Sequence, residues 1–164
     1  MSYLFALLCS AGVIALDQLS KYWIVLQYGN TQNYTSVLGG LINIRHVENS
    51  GAAWSILAGR TWLLVSISLA VMVICVFMLV KKTFGSKWMF WAVSLILGGG
   101  IGNLIDRIFR GGRVVDFIEF GFVDFPVFNV ADIAVTTGAI MILGAFVVDI
   151  IRDGRKKKAG KTES

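Results

Sequence analysis

Four long apolar stretches dominate the chain, at about residues 3–26, 61–80, 88–107 and 127–149. A helix needs about 20 apolar residues to cross the hydrocarbon of a bilayer, and each stretch meets or approaches that length. Between the first two lies a mixed segment, about 27–60. Between the last two lies a second, about 108–126. Within the first mixed segment, residues 41–48 alternate and are rich in Ile and Val, which predicts a strand. The second, "GGRVVDFIEFGFVDF" (111–125), is aromatic and β-branched. It is too short and too charged to span, and predicts short strands or an amphipathic piece lying on the outer leaflet.

Composition agrees with this pattern. The chain has 164 residues, of which 56% are hydrophobic and 15% charged, with a mean hydropathy of +0.74. A soluble domain carries charge on about a quarter of its residues. The expectation is one integral membrane domain, 1–151, mainly α: a four-helix transmembrane bundle with a small extracytoplasmic β-rich segment. A basic cytoplasmic tail, 152–164, would follow as a disordered piece facing anionic lipid. The opening stretch "MSYLFALLCSAGVIAL" lacks a basic leader, and its apolar run continues past Asp17, so it reads as an uncleaved first span.

The net charge of +5 does not point to nucleic acid. Nine of the fifteen Lys and Arg sit in "KKTFGSK" (81–87) and "RDGRKKKAGK" (152–161). Four spans put both segments on one side with both termini, and the positive-inside rule makes that side cytoplasmic. The two mixed segments then face outward.

Ionisable groups within spans are costly and usually face a protein interior or a watery cavity. Asp17 and Lys21 are four apart on one face of the first span; a salt bridge to a neighbouring helix and a functional pair both fit. In "GGGIGNLIDR" (98–107), Gly99, Asn103 and Arg107 share a face at four-residue steps, and Gly98 and Gly102 form a small-xxx-small pair suited to close helix approach. Asn103 and Arg107 are donors aimed at the outer end, where an extended peptide would present carbonyls. In "FNVADIAV" (128–135), Asn129 and Asp132 share a face near the outer end of the fourth span; helix capping is the competing reading. Asp116, in "VVDF" (114–117), is either a solvated acid or, given its apolar neighbours, a buried one. "ENSGAAW" (48–54) adds Asn49 and small residues suited to a turn. Asp106, Glu119 and Asp124 carry no comparable pattern and read as surface or ion-pair residues.

Two carboxylates at a low-dielectric boundary suit acid–base hydrolysis, because two acids sharing a site hold one proton between them. Other chemistries are less well supported. His46 has Ser50 and Ser55 nearby but no nucleophile-elbow context. Ser20 and Lys21 are adjacent on a helix and point apart. Cys9 and Cys75 lie in apolar runs and read as small buried hydrophobes. With a single His they cannot form a four-ligand zinc site; a catalytic zinc on His46 plus carboxylates is a further alternative, but no HExxH spacing supports it.

Five ordered blocks, "DQLSK" (17–21), "ENSGAAW", "GGGIGNLIDR", "VVDF" and "FNVAD" (128–132), make the chain resemble the bacterial lipoprotein signal peptidase (signal peptidase II) family of membrane aspartyl proteases. The resemblance runs from Asp17 to Asp132. It implies that Asp116 and Asp132 are the catalytic pair and that Asn49, Asn103, Arg107 and Asn129 surround the substrate backbone or support the dyad. It implies that Gly99 matches a family glycine and that Asp17 and Lys21 are important polar residues. Trp54 stands where the family more often has Phe. The implied substrate is a prolipoprotein whose lipobox Cys carries diacylglycerol, cut just before that Cys. No metal or cofactor is implied, globomycin-type cyclic peptides would inhibit, the outer segments would cover the cleft with mobile parts as a lid, and one chain suffices for the site. The implied location is the bacterial cytoplasmic (inner) membrane, with the site near the outer leaflet boundary. Rival readings are a small transporter, for which span two and the inner halves of the other spans carry almost no polar residues, and a non-catalytic lipid- or peptide-binding membrane protein.

Overall fold

The structure, a computed structural model, describes residues 3–29, 31–52, 54, 56–81, 84 and 86–162; beyond residue 152 it describes the backbone alone. Residues 82, 83 and 85 of the basic connection, and Ala53 and Ser55 beside "ENSGAAW", lie outside that set. Among the described residues the α-helices and strands follow in the order α1 (Tyr3–Tyr28), β1 (Thr35–Val37), β2 (Ile42–Asn49), α2 (Thr61–Lys81), α3 (Lys87–Phe109), β3 (Val114–Phe120) and α4 (Val130–Thr162), with a short 3-10 turn, Leu38–Gly40, between β1 and β2. All four helices are long and apolar enough to cross a membrane. α4 continues through the basic segment to Thr162, where the sequence had suggested disorder. Lys, Arg and Ala are good helix formers, and an existing helix extends at little cost.

α3 is the central helix. Half of its span is buried, against 11% of the α4 span, and α1, α2 and α4 each pack on it. In lipid the driving force between helices is close packing and interhelical hydrogen bonding rather than escape from water. The glycines of α3 serve the first. A side chain at Gly99 would run into the Ala131 carbonyl of α4, and one at Gly102 would meet Asp17 Oδ2 at 2.6 Å. Ser10 Oγ on α1 serves the second by donating to the Ser94 carbonyl at 2.8 Å. A core of Met72, Cys75, Leu79, Phe90, Val93 and Leu97 fills the other end of the bundle. The outward apolar side chains of α1, α2 and α4 are exposed, as a lipid-facing surface requires.

The two mixed segments contribute one antiparallel sheet in the order β1-β2-β3. β2 is the strand expected at 41–48, and β3 settles the second mixed segment as strand. The β2–β3 register pairs Ile44 with Ile118 and Val47 with Asp116, with a bulge between. Beyond β3 the chain turns back. Phe128 exchanges hydrogen bonds with Ile118, accepting at 2.8 Å and donating at 3.0 Å. This bridge delivers the start of α4 to the middle of β3.

Candidate active site

Asn129 is the N-cap of α4. Its Oδ1 accepts from the Asp132 backbone N–H at 3.0 Å, and Asp132 Oδ2 accepts from the Asn129 N–H at 3.1 Å. This reciprocal pair satisfies two donors that a helix start leaves open. Capping accounts for only one end of the Asn129 side chain. Its Nδ2 donates to Asp116 Oδ1 at 2.6 Å and to Asn103 Oδ1 at 3.1 Å. One residue therefore holds both carboxylates, because the Phe128–Ile118 bridge has set it beside Asp116.

Asp116 is 2% exposed, which rules out the solvated-acid reading. Its second oxygen accepts from Asn49 Nδ2 at 2.8 Å. Asn49 Oδ1 in turn accepts from the Gly51 N–H at 2.8 Å, an Asx turn that fixes the amide. Burial pushes the Asp116 carboxyl up to about 7, and the neighbouring Asp132 carboxylate pushes the same way; the Asn49 and Asn129 amides and the Lys21 charge oppose. Asp132 Oδ1 accepts from Asn103 Nδ2 at 2.7 Å. Arg107 does not touch either acid. It donates from Nη2 to the Gly51 carbonyl at 3.0 Å, pinning the turn after β2, and its buried Nε has no partner among the described residues.

Asp116, Asp132, Asn49, Asn103 and Arg107 all line one cavity of about 510 Å³, whose remaining wall is largely apolar and includes Phe125 and Phe128. Trp54 stands at the same end, edge-on to Phe125 with centroids 5.5 Å apart. Gly99 lies below, where it lets α3 and α4 meet. The arrangement offers two carboxylates, oxygens held by amides, opening into a partly apolar cleft. Among the described residues no group of three His, Cys, Asp or Glu is placed to hold a metal ion.

Asp17 and Lys21 form a salt bridge of 2.8 Å with no exposure on either side chain. The same ammonium pairs with Asp106 Oδ2 at 3.0 Å. Asp17 Oδ1 accepts from the Ala131 N–H at 2.9 Å, closing another open donor of α4. Asp106, 1% exposed, also accepts from the Val115 N–H at 3.1 Å and from Arg110 Nε at 3.3 Å. The expectation of an ordinary surface or ion-pair residue thus understates Asp106. It ties α1, α3 and β3 together immediately beneath Asp116. Its signal was its position three residues after Asn103, on the polar face of an apolar helix. Gln18 was also overlooked; its Nε2 donates to Asp17 Oδ2 and to the Gly102 carbonyl, each at 3.1 Å. Glu119 pairs with Arg45 at 2.6 Å on the sheet, as an ion-pair residue should. His46 Nε2 meets no partner, and Ser20 Oγ donates to the Asp17 carbonyl rather than meeting Lys21. Among the described residues neither serine-based alternative is assembled; Ser55, part of the first, lies outside them.

Comparison with known proteins bears directly on this constellation. A family model described as signal peptidase (SPase) II matches residues 9–148. The chain belongs to the lipoprotein signal peptidase (signal peptidase II) family. Relatives include a lipoprotein signal peptidase of Enterococcus faecalis, 38% identical over 156 residues covering 94% of this chain and 92% of that one. One from Streptococcus pyogenes is 40% identical over 133 residues, covering 80% and 85%. Among solved structures, a bacterial membrane enzyme determined by the in meso method at 2.3 Å superposes with a TM-score of 0.82 at 33% identity, covering 90% of each chain. The likeness read from five short blocks is thus accompanied by a likeness of fold to this bacterial membrane enzyme over 90% of each chain.

Proposed function

We propose that this chain is the aspartyl endopeptidase of lipoprotein maturation, removing the signal peptide from diacylglyceryl-modified prolipoproteins by cutting just before the lipidated Cys. Asp116 and Asp132 carry the chemistry. The observation that carries this assignment is Asn129, whose side chain holds Asp116 while its backbone holds Asp132, both facing one cavity.

Asp132 acts as the ionised member and Asp116 as the protonated one. Asp132 takes a proton from water as the water oxygen adds to the scissile carbonyl carbon, and Asp116 gives its proton to the carbonyl oxygen. In the second step the proton on Asp132 passes to the amine nitrogen as the C–N bond breaks. Asp116 takes a proton back from the geminal diol, leaving a carboxylic acid and restoring both groups. Asn103, whose Nδ2 already holds Asp132, and Arg107, with its unpartnered Nε, lie where backbone carbonyls of a bound peptide would need donors. The apolar wall of the cavity suits a substrate delivered from the lipid.

The protein works in the bacterial cytoplasmic membrane, with both termini in the cytoplasm and the dyad near the outer leaflet boundary. That orientation rests on the positive-inside rule. Asp17, Lys21, Asp106, Arg107 and Asp132 all lie toward the sheet end of the helices, whereas a transporter needs a polar path across both halves. One chain supplies every residue of the site, which supports a monomer, and globomycin-type cyclic peptides should compete for the cavity. The test is a gel-shift cleavage assay in detergent on diacylglyceryl-modified prolipoprotein, with the parent, Asp116→Asn and Asp132→Asn. Cleavage by the parent alone supports the dyad. Cleavage that survives either change removes that residue from the mechanism, and a parent inert on lipidated substrate points to a binding protein.

A further inference from the structure

An asparagine amide can hold a carboxylate in only one of its two orientations, with NH2 toward it. Asn103 stands between two demands. Its Nδ2 donates to Asp132 Oδ1 at 2.7 Å, and its Oδ1 accepts from Lys21 Nζ at 2.9 Å and from Asn129 Nδ2 at 3.1 Å. A lysine ammonium has three donors and no acceptor, so it tolerates only the oxygen end of an amide. All three Lys21 protons are engaged, on Asp17 at 2.8 Å, Asn103 at 2.9 Å and Asp106 at 3.0 Å. The ammonium is therefore held from three sides, fully buried, with no freedom to swing away.

We propose that Lys21 is a positioning residue for the dyad: as a donor-only group it holds the oxygen of Asn103, and so keeps the NH2 of that amide on Asp132 and the Asp132 carboxylate in place. The proposal rests on the aspartyl protease reading above. Lys21 touches neither Asp116 nor Asp132 by hydrogen bond; it acts through Asn103. The three bonds of Lys21 have a division of labour. Asp17 and Asp106 balance its charge, and Asn103 transmits its direction. Without Lys21 the Asn103 oxygen keeps only the longer bond from Asn129 Nδ2 at 3.1 Å, and the amide could turn that oxygen toward Asp132, repelling the carboxylate and drawing the shared proton onto it.

The test separates this from a merely structural salt bridge. Removing Lys21 alone would strand two buried carboxylates, so the variants are Lys21→Met/Asp106→Asn, which removes the donor, and Lys21→Gln/Asp106→Asn, which offers Asn103 an acceptor. Both lose one positive and one negative group. Each is compared with the parent for cooperative unfolding in detergent and for kcat and KM on diacylglyceryl-modified prolipoprotein. The expected result is cooperative unfolding, KM within about twofold and kcat reduced about a hundredfold, the scale of a misplaced reacting group. Unchanged kcat in a folded variant overturns the proposal, as does a rise in KM with kcat intact. If neither variant folds, the side-chain amide resonances of 15N-asparagine-labelled parent and Asp132→Asn decide. The Asn103 NH2 signals should shift strongly on Asp132→Asn; signals that do not move overturn the proposal. Retained cleavage by Asp132→Asn is a separate result that sinks the protease reading itself.

Discussion

Asn129 lies 2.6 Å from Asp116 through its side-chain nitrogen, while its side-chain oxygen caps α4 by accepting from the Asp132 N–H in the first turn. The two ends of one amide thus do two jobs, and they can be separated. Asn129→Ser keeps a capping oxygen, because Ser is as good an N-cap as Asn, but cannot reach Asp116. We expect thermal unfolding in detergent close to the parent and kcat/KM reduced about a hundredfold. Asn129→Ala loses the cap as well, which costs a further ~1 kcal/mol of stability. Parallel unfolding and cleavage measurements on the two variants check this.

In the proposed mechanism the proton on Asp116 sets the alkaline limit of activity. Its carboxyl is raised to about 7 by burial and by Asp132. Below about pH 7 the group carries the proton that the carbonyl oxygen needs; as pH rises through about 7 that proton is lost. Single-turnover cleavage in detergent should therefore fall on the alkaline side with a midpoint near 7. A rate that keeps rising through pH 9 would contradict a protonated Asp116.

Gly102 and Asp17 are in a contact that no side chain at 102 could share. A Cβ there would meet Asp17 Oδ2 at 2.6 Å, and that carboxylate is fixed by Lys21 and by the start of α4. Gly102→Ala should cost about 1–3 kcal/mol, as overpacking does. Gly12, whose Cβ would meet nothing within 4 Å, offers the control: Gly12→Ala should unfold at or slightly above the parent temperature.

Burial separates the ion pairs of this chain by consequence. Lys21 and Asp106 are fully buried, so Asp106→Leu leaves charge and the Val115 N–H unmatched; breaking a buried pair costs about 3–5 kcal/mol. Arg113 and Glu48 pair on the exposed sheet, with side chains 59% and 47% accessible. Arg113→Ala should change stability by less than about 1 kcal/mol. Denaturation of both variants in the same detergent makes the comparison direct.

The four spans, the strand at 42–49, the family and the polar residues of the site were legible in the amino-acid sequence. The spans and the strand are local properties, apolar length and alternation, and some of the polar residues show by spacing along one helix face; the family, and the pairing of Asp116 with Asp132, came from the resemblance of five ordered blocks. The capping geometry of Asn129 was legible too, since it needs only residues 129 and 132. What the tertiary structure decided is where those faces meet. The Phe128–Ile118 bridge sets Asn129 beside Asp116, and nothing in either segment specifies that register. Asp106 looked ordinary because its partners, Lys21 and Val115, lie 85 positions before it and 9 after it. The donor-only hold of Lys21 on Asn103 spans 82 positions. A side chain's hydrogen-bonding capacity is written in its chemistry, but which partner fills it depends on helix packing and strand register. In a membrane, those are settled by which buried polar groups can satisfy one another.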